Sequence, residues 1–334
     1  MRIVILAGGV GGSRFVAGAR RAFPDADLTV IVNTADDITL HGLRICPDLD
    51  TMMYTLGGGS DLARGWGRAE ESWRVKDELA AYGVEPAWFG LGDLDLATHL
   101  VRTQMLAAGF GLAEVTQALC TRWLVADPRL HLVPMSNDRV ETHIVIADAA
   151  EPSGRRAVHF QEYWVRLHAE PEALDVLTVG AAAATATPGL VESLAAADLI
   201  LVAPSNPVVS IGPILAVHQL RAALVTAPAP VIGFAGILGG SVVLGMAHRL
   251  LPAIGVAVDA GAVGLHYGAR SSGGVLDTWV LHPGDAGATA ALEGAGLQAL
   301  VTDLLMHDAD ATARFIRFAV ERMKRPQVGR TPVS

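Results

Sequence analysis

The 334-residue chain carries 25 Lys and Arg against 34 Asp and Glu, a formal net charge of −9, and 51% of its residues are hydrophobic. This composition is typical of a globular protein and excludes a disordered or fibrous chain. An acidic balance without a basic block argues against nucleic acid or an anionic membrane as the main partner, because both need a concentrated basic surface. Any anionic ligand must therefore be bound by local features.

The cysteines and the first residues bear on the cellular compartment. Cys46 and Cys120 are too few for a disulfide framework or a cysteine metal cluster, which favours a reducing environment. The apolar run at residues 3–7 is short and passes directly into a glycine turn, which is unlike a signal peptide. We therefore expect a cytoplasmic protein.

The N-terminal region predicts a β-α-β unit. Apolar, β-branched runs at residues 1–6 and 28–32 flank a segment with helical spacing at residues 15–23. The runs at 199–202 and 231–234 are continuously hydrophobic, which is typical of parallel strands buried on both faces. The predicted fold class is α/β, with a Rossmann-like, open, mostly parallel sheet.

The pattern changes in the middle of the chain. We predict a helical insertion over residues 51–126 within a single α/β domain that spans residues 1–334. The predicted helices of the insertion lie at 51–56, 70–82, 96–108 and 112–124. Strand-like segments follow at 131–133, 143–146 and 157–160, and a last helix is predicted at 311–323.

The stretch between Arg221 and Arg249 contains no Asp, Glu, Lys or Arg and is long enough to span a bilayer. Its prolines and glycines interrupt any long helix. We therefore predict a turn, a buried strand and a glycine loop there, and no membrane span.

A glycine turn follows the first strand. In Gly8-Gly9-Val10-Gly11-Gly12, successive backbone N–H groups and the helix N-terminus can bind phosphate, so we predict that Gly9, Gly11 and Gly12 contact a phosphate or diphosphate. Arg14 stands where the dinucleotide fingerprint needs its third glycine, and no P-loop signature is present. A nicotinamide cofactor is therefore disfavoured. The alternative is a tight turn that only lets the helix pack on the sheet.

Polar side chains follow the second strand. Asn33, Asp36 and Asp37 fall at its carboxyl end, where open α/β sheets bind ligands. The two carboxylates suit a ribose, a base or a metal. A solvated acidic loop or a helix cap is the alternative.

Two pairs of carboxylates precede predicted helices. Asp48 and Asp50 are two residues apart, and such oxygen ligands suit Mg²⁺, which takes one or two carboxylates together with substrate phosphates. Asp93 and Asp95 repeat the spacing, and His99 lies on the helical face of Asp95. The alternatives are plain N-caps and a core histidine.

A polar loop follows the strand predicted at 199–202. Ser205 and Asn206 begin a segment that is dense in hydroxyl, amide and backbone N–H groups. No nucleophile elbow, zinc motif or kinase signature accompanies it. The predicted site therefore consists of several polar elements at one rim of the sheet.

Taken in order, these segments resemble the 2-phospho-L-lactate transferase family of deazaflavin coenzyme F-420 biosynthesis, over nearly the whole chain. The motifs that carry the resemblance are AGGVGGSRF, VNTADD, CPDLDTMMYTL, GWG, WFGLGDLDLATH, VPMSND, HFQEYWV and APSNPVVSIGPIL.

The resemblance implies transfer of a phospholactyl or phosphoenolpyruvyl group from a GDP-linked donor to the ribityl hydroxyl of the deazaflavin Fo, with release of GMP. It implies that Asp50 and Gly90 contact the deazaflavin, while the glycine turn, the NTADD segment and the Ser205-Asn206 loop bind the guanosine diphosphate. Mg²⁺ would be held by Asp50, with Asp48 or Asp93. Asp50 or His99 would take the proton of the attacking hydroxyl.

The chain departs from the family pattern at three positions. Leu94 stands where relatives usually have Arg, Gly90 has no side chain where relatives often carry a polar or basic one, and Ser241 stands where a lysine usually follows the glycines. The identity of the donor's three-carbon group, lactate or enolpyruvate, stays open.

Two other functions are compatible with parts of the sequence. A regulatory protein of the same superfamily that binds nucleotide sugars shares the glycine opening and NTADD, but continues with a glycine- and serine-rich segment rather than CPDLDT. An oxidoreductase is suggested only by the β-α-β start. We expect a homodimer from the frequency of two-fold assemblies.

Overall fold

A parallel sheet organises the computed structural model, which describes residues 1–61 and 63–323. The strands are β1 (Arg2–Ala7), β2 (Asp27–Val32), β3 (Ile38–Leu40), β4 (Leu43–Ile45), β5 (Leu130–Pro134), β6 (Glu141–Ala147), β7 (Arg155–His159), β8 (Ala173–Val179), β9 (Leu199–Val202), β10 (Val231–Phe234), β11 (Ile237–Leu238), β12 (Ser241–Val242), β13 (Thr278–Leu281) and β14 (Gln298–Val301). Seven of them form a sheet in the order β14-β13-β10-β9-β1-β2-β5, and each neighbouring pair is parallel. The predicted fold class is confirmed.

Helices connect these strands and cover the sheet. The α-helices are α1 (Gly9–Ala22), α2 (Pro47–Leu56), α3 (Arg74–Ala81), α4 (Asp93–Ala107), α5 (Leu112–Trp123), α6 (Leu190–Ala195), α7 (Gly212–Ala216), α8 (His218–Thr226), α9 (Ala247–Leu250), α10 (Ala260–Tyr267), α11 (Thr289–Gly294) and α12 (Ala309–Arg322). Short π-helical segments occur at Glu162–Arg166 and Pro207–Ile211, and 3₁₀ segments at Pro252–Ile254, Arg270–Ser272 and Pro283–Ala288.

The strand order explains where the polar loops meet. β1 is an interior strand of the sheet, with β2 on one side and β9 on the other. The chain therefore winds in opposite directions on the two sides of β1, and in open α/β sheets ligands bind beside the carboxyl ends at such a reversal. The glycine turn after β1 and the Ser205-Asn206 loop after β9 both leave the sheet there.

The buried strands have the composition expected for a sheet that is covered on both faces. Every residue of β9, β10 and β13 is buried, and in β1 only the first residue is exposed. In register, Ile5 pairs with Val30 of β2 and with Leu201 of β9. The continuous apolar runs in the sequence are thus explained by burial on both faces.

The four helices predicted between residues 51 and 126 are present as α2 to α5, and the described part of this region contains no strand beyond one isolated bridge, Ser60 to Arg68. α2 begins earlier than predicted because Pro47 is favoured at the first helical position. α3 begins at Arg74 rather than at residue 70. The end of the predicted 1–334 domain, residues 324–334, lies outside the described residues.

Three smaller sheets were not predicted as such, and one of them is the β11–β12 hairpin. β6 pairs with β7 and β8 in an antiparallel three-stranded sheet, and β3 pairs with β4 in a hairpin directly after the NTADD segment. The segments predicted as strands at 143–146 and 157–160 therefore belong to this second sheet, whereas the one at 131–133 joins the main sheet as β5. The hairpin places Arg44 next to the carboxyl end of β2.

The uncharged stretch between Arg221 and Arg249 contains the end of α8, the buried strand β10 and the β11–β12 hairpin. Among the described residues no single helix is long and apolar enough to cross a membrane. Pro207–Ala216 and His218–Thr226 reach that length only as a pair, and they meet at an angle of 86°.

Candidate active site

The glycine turn packs directly against the loop that follows β9. The hydroxyl of Ser205 accepts a hydrogen bond from the Gly8 N–H (3.1 Å) and donates one to the Gly8 carbonyl (2.8 Å). A Cβ on Gly12 would lie 2.7 Å from Ser205 Oγ, and Gly9 has a positive φ of 64°. The glycines are therefore required both for the turn and for the close approach of the second loop.

Asp48 reaches from α2 to this same turn. Its Oδ2 accepts a hydrogen bond from Asn33 Nδ2 (2.9 Å), and a Cβ on Gly8 would lie only 2.5 Å from that oxygen. Burial raises the pKa of Asp48 to about 6, although hydrogen bonds from Asn33 and the Gly9 amide oppose the shift. The fold thus brings Asp48, Asn33 and the glycine turn together.

Asp36 and Asp37 are both buried, which rules out the alternative of a solvated acidic loop. Asp37 forms an ion pair with Arg44 at 3.1 Å, and burial raises its pKa to about 6. Burial raises the pKa of Asp36 well above its usual value, and the neighbouring carboxylates Asp48 and Asp37 raise it further. Asp36 therefore belongs to the Asp48 cluster, whereas Asp37 belongs to the β3–β4 hairpin.

The pair formed by Asp36 and Asp48 lacks a counter-charge. Within residues 1–61 and 63–323 no basic side chain forms an ion pair with either carboxylate, and the side chains that approach Asp36 with hydrogen bonds, Asn33 and Thr142, are neutral. Buried carboxylates normally pair with a cation or coordinate a metal.

Asp50 has a different environment, although it is only two residues away. The guanidinium of Arg102 donates to both of its oxygens, from Nη1 to Oδ2 at 3.0 Å and from Nη2 to Oδ1. The side chains of Asp50 and Arg102 are 7% and 2% exposed. Asp50 is thus a buried carboxylate that already has its cation.

His99 and Asp95 complete this second cluster. Nδ1 of His99 lies 3.0 Å from Arg102 Nη1, and Nε2 lies 3.3 Å from Asp95 Oδ2. Because a guanidinium can only donate, Nδ1 must accept and the proton of a neutral ring lies on Nε2. Asp95 also accepts a 2.6 Å hydrogen bond from the Tyr54 hydroxyl. The predicted pairing of Asp95 with His99 on one helical face is present, and both ring nitrogens of His99 face protein groups.

Asp93 serves as a helix cap. Its carboxylate accepts hydrogen bonds from the Ser72 hydroxyl (2.6 Å) and from the N–H groups of Arg74 (3.2 Å) and Val75 (3.1 Å), which explains why α3 begins at Arg74. Glu71 in turn accepts hydrogen bonds from the N–H groups of Leu94 and Asp95 at the start of α4. The structure therefore does not bring the Asp93 carboxylate to Asp50 or Asp48.

Gly90 lies beside two indole rings. A Cβ at this position would be 3.4 Å from Trp73 and 3.7 Å from Trp66, and Trp66 is 48% exposed. The Arg64 guanidinium stacks over both rings, 4.8 Å and 5.3 Å from their centroids. An aromatic surface therefore stands next to the backbone of Gly90.

The other two departures from the family pattern lie outside these clusters. Leu94 is exposed, and its carbonyl accepts a 2.6 Å hydrogen bond from Arg68. Ser241 is exposed in the β11–β12 hairpin, whose Gly239 N–H donates to Asp285 at 2.8 Å.

Asn206, the second residue predicted in the loop after β9, makes hydrogen bonds within the loop itself. Asn206 Oδ1 caps the Pro207–Ile211 segment by accepting hydrogen bonds from Val208 N (2.9 Å) and Val209 N (3.3 Å). A cleft runs from this loop along the ends of β10 and β13. Its lining includes Ser205, Asn206, Phe234, Tyr267 and Trp279.

Arg102 was not among the predicted residues. It lies on α4 at the spacing i, i+4, i+7 with Asp95 and His99, so the three side chains share one face of the helix. That spacing is the signal that could have identified Arg102. Its partner Asp50 comes from α2, however, and no sequence pattern places α2 against α4.

Known proteins match the chain over nearly its whole length. Residues 3–313 match the family described as 2-phospho-L-lactate transferase CofD. A phosphoenolpyruvate transferase of Streptomyces griseus subsp. griseus is 54% identical over 321 residues, covering 96% of this chain and 98% of that protein. The phosphoenolpyruvate transferases of Nocardia farcinica and Mycolicibacterium smegmatis are 52% and 51% identical, each over 96% of this chain and over 94% and 98% of their own lengths.

A crystal structure with a similar fold is that of a UPF0052-family protein from Bacillus halodurans. It superposes with a TM-score of 0.59 at 16% identity, covering 95% of this chain and 98% of that chain, and it shows the fold alone. The family match and the high identity of the relatives favour the transferase over the regulatory nucleotide-sugar-binding protein. The chain belongs to the 2-phospho-L-lactate transferase CofD family.

Proposed function

We propose that the protein transfers a phosphoenolpyruvyl group from enolpyruvyl-diphosphoguanosine to the ribityl hydroxyl of Fo, releasing GMP, in coenzyme F-420 biosynthesis. The choice of enolpyruvate over lactate is supported by the names of relatives that are 51–54% identical. The meeting of the glycine turn with Asn33, Asp48 and Ser205 at the strand reversal is the observation that carries the donor site.

The donor's diphosphate is assigned to the glycine turn. The N–H groups in the first turn of α1 have no partner within the helix, although that of Gly9 donates to Asp48, and a helix N-terminus favours negative charge. The guanosine is assigned to the cleft beside Ser205 and Asn206, because the half-buried Val242 and the exposed Leu244 in its lining offer apolar surface to a base. Local backbone groups thereby let an acidic protein hold an anionic donor.

The acceptor is assigned to the surface between Asp50 and Gly90. The exposed indole of Trp66 beside Gly90 suits a flat aromatic ring system. Asp50 then receives the ribityl hydroxyl. The bidentate contact with Arg102 uses one acceptor position on each oxygen, and a carboxylate has about four such positions, so Asp50 can still accept a hydrogen bond.

Ligand atoms of Asp50, Asp95 and His99 lie within 4.8 Å of one another, but Arg102 already neutralises Asp50, so we assign a divalent cation to Asp48 and Asp36 instead. Among the described residues the first pair is buried and approached only by neutral hydrogen-bond donors, whereas both oxygens of Asp50 are bonded to the Arg102 guanidinium. Mg²⁺ bound by Asp36 and Asp48 would neutralise negative charge on the leaving phosphate. We therefore modify the sequence-based assignment, keeping Asp48 as a ligand and adding Asp36 in place of Asp50 and Asp93.

The reaction is an in-line displacement. The ribityl oxygen forms a bond to the phosphorus that carries the enolpyruvyl group, the bond from that phosphorus to the GMP oxygen breaks, and the hydroxyl proton passes to Asp50. His99 is fully buried with both nitrogens against protein groups, so we assign it to the support of Asp50 rather than to proton transfer. Positioning and charge stabilisation supply most of the rate enhancement.

We also propose a cytoplasmic homodimer. Leu100, Val101 and Phe110 of the helical insertion are exposed apolar side chains, and a surface of this kind suits a two-fold contact. Sedimentation equilibrium of the purified protein tests the oligomeric state, and a concentration-independent monomer would refute it.

The direct test of the function is mass spectrometry of reactions that contain Fo, Mg²⁺ and either the lactyl or the enolpyruvyl GDP-linked donor. We expect GMP and the phosphoenolpyruvyl adduct of Fo from the enolpyruvyl donor. Product from the lactyl donor alone would reverse the assignment of the donor. Tight binding of nucleotide sugars without any product would instead support the regulatory protein.

A further inference from the structure

Arg102 is the buried cation of the Asp50 cluster, and none of the predicted roles includes it. Its guanidinium touches Asp50, His99 Nδ1 and the carbonyl of Arg44, the last at 3.3 Å. The side chain is 2% exposed, so it does not face the acceptor surface itself. Any effect of Arg102 on the reaction must therefore act through a group that it contacts, and Asp50 is the one of these that is assigned to the acceptor hydroxyl.

We propose, on the basis of the function proposed above, that Arg102 is a positioning residue that holds the Asp50 carboxylate in one orientation toward the acceptor hydroxyl. Two parallel hydrogen bonds fix the plane of the carboxylate as well as its place, which a single contact with a lysine would not do. The remaining acceptor position on each oxygen then points in a defined direction.

The surroundings of Arg102 are built to hold it still. Asp95 and His99 lie one after the other on the same face of α4, and His99 receives a hydrogen bond from Arg102 through Nδ1. The contact with the Arg44 carbonyl ties the guanidinium to β4. Arg44 is itself paired with Asp37, so the support of Asp50 is continuous with the NTADD segment.

The chain contains a second arginine–aspartate pair that can serve as a control, because it stabilises the fold and lies away from the site. Arg270 forms a second, largely buried fork with Asp277, donating from Nε (2.9 Å) and from Nη2 (2.5 Å). Arg270 also donates to the carbonyls of Ala227 (2.6 Å) and Ala229 (3.1 Å), which joins the segment before β10 to the start of β13. This fork lies at the amino ends of those strands, away from the site.

The experiment compares Arg102→Lys, Arg102→Met and Arg270→Lys in the full-length chain, measuring kcat, KM for Fo and the melting temperature of each. We expect kcat/KM to fall by about tenfold in Arg102→Lys and by about 100-fold in Arg102→Met, mainly through kcat, because the reacting groups are misplaced. Arg270→Lys should lower the melting temperature and leave kcat/KM of the folded fraction unchanged.

A double variant separates action through Asp50 from an independent effect. If Arg102 acts only through Asp50, the variant Asp50→Asn/Arg102→Met should be no slower than Asp50→Asn alone. Losses that multiply would overturn the proposal, as would a folded Arg102→Met enzyme within threefold of the wild type. If Arg102→Met does not fold, a fully active Arg102→Lys enzyme overturns it. A wild-type chain inactive with both donors would instead refute the proposed function.

Discussion

Replacing Gly12 with alanine tests whether the glycine turn is held by its contact with the loop after β9. The new Cβ would lie 2.7 Å from Ser205 Oγ and 3.1 Å from Ala7 Cβ, both well inside normal van der Waals separation. Ser205 cannot turn away without cost, because its hydroxyl bonds to both the N–H and the carbonyl of Gly8. The substitution must therefore push α1 and the loop apart or break these two hydrogen bonds.

The expected magnitude follows from two opposing effects. Overpacking costs about 1–3 kcal/mol, whereas alanine gains about 1 kcal/mol of helix propensity over glycine, so the free energy of unfolding should fall by about 0–2 kcal/mol. Ser205→Ala alone should cost about 1–3 kcal/mol, since it leaves the buried Gly8 N–H without a partner. In the double variant the alanine methyl group at position 12 enters the space left by the hydroxyl, so the total loss should be about 1 kcal/mol smaller than the sum.

Urea unfolding followed by far-ultraviolet circular dichroism measures these differences. Gly294→Ala is the matched control, because Gly294 is an exposed helical residue and an added Cβ there meets nothing within 4 Å. It should raise the free energy of unfolding by about 0.4–1 kcal/mol. Single-variant losses at Gly12 and Ser205 that add to within about 0.5 kcal/mol in the double variant, or a Gly12→Ala protein more stable than the wild type, would refute the steric argument.

Three further predictions concern the site. Asp50→Asn should lower kcat by at least about 100-fold, because the proton acceptor is lost, and steady-state kinetics measures this. It should also lower the free energy of unfolding by about 3 kcal/mol in urea titrations, because the buried guanidinium of Arg102 loses its counter-charge. Near-normal turnover would show that Asp50 is not the proton acceptor. Chelation of divalent cations should abolish transfer. Asp48→Asn should raise the Mg²⁺ concentration needed for half-maximal rate by at least about tenfold. The same half-maximal Mg²⁺ concentration in Asp48→Asn and in the wild type would exclude Asp48 as a ligand. Burial lowers the pKa of His159 from 6.5 to about 4, so its contribution to stability is complete above pH 6.5 and is lost as the pH falls toward 4. The His159→Gln protein should therefore lose less stability than the wild type between pH 7 and pH 5, and equal losses in urea midpoints would contradict this.

The core strands were predictable because of their burial. β1, β9 and β10 are buried on both faces, so their composition is continuously apolar and stands out in the sequence. β8 alternates buried or half-buried residues with exposed ones, and its pairing with β6 contains an irregularity at Val145 and Ile146. Such a strand forms because it pairs with the neighbouring strand β6, and its own residues do not distinguish it from a loop.

The site was predictable where polar residues follow a strand, and less so where contacts cross between helices. Asn33 and Ser205 occupy the rim that their position after β2 and β9 predicted. Asp93 has the same spacing to Asp95 as Asp48 has to Asp50, yet its carboxylate caps α3, because the chain folds back from residue 72 to residue 93. The partner of a carboxylate is set by that long-range path, which spacing alone does not contain.

The helices α3 and α4 cap each other, which links their local unfolding: Asp93 of α4 caps α3, and Glu71, just before α3, caps α4. None of the residues of α3 is buried, so packing stabilises this helix little, and it depends on the Asp93 carboxylate that accepts hydrogen bonds at its N-terminus. The Glu71 carboxylate in turn accepts hydrogen bonds from N–H groups in the first turn of α4. Breaking either cap removes the anchor of the other, so residues 71–95 should open as one cooperative unit, with their amide protons exchanging at a common rate. Since Asp95 lies at the end of this unit and contacts Tyr54 and His99, each opening event would admit water to an otherwise sealed polar interior.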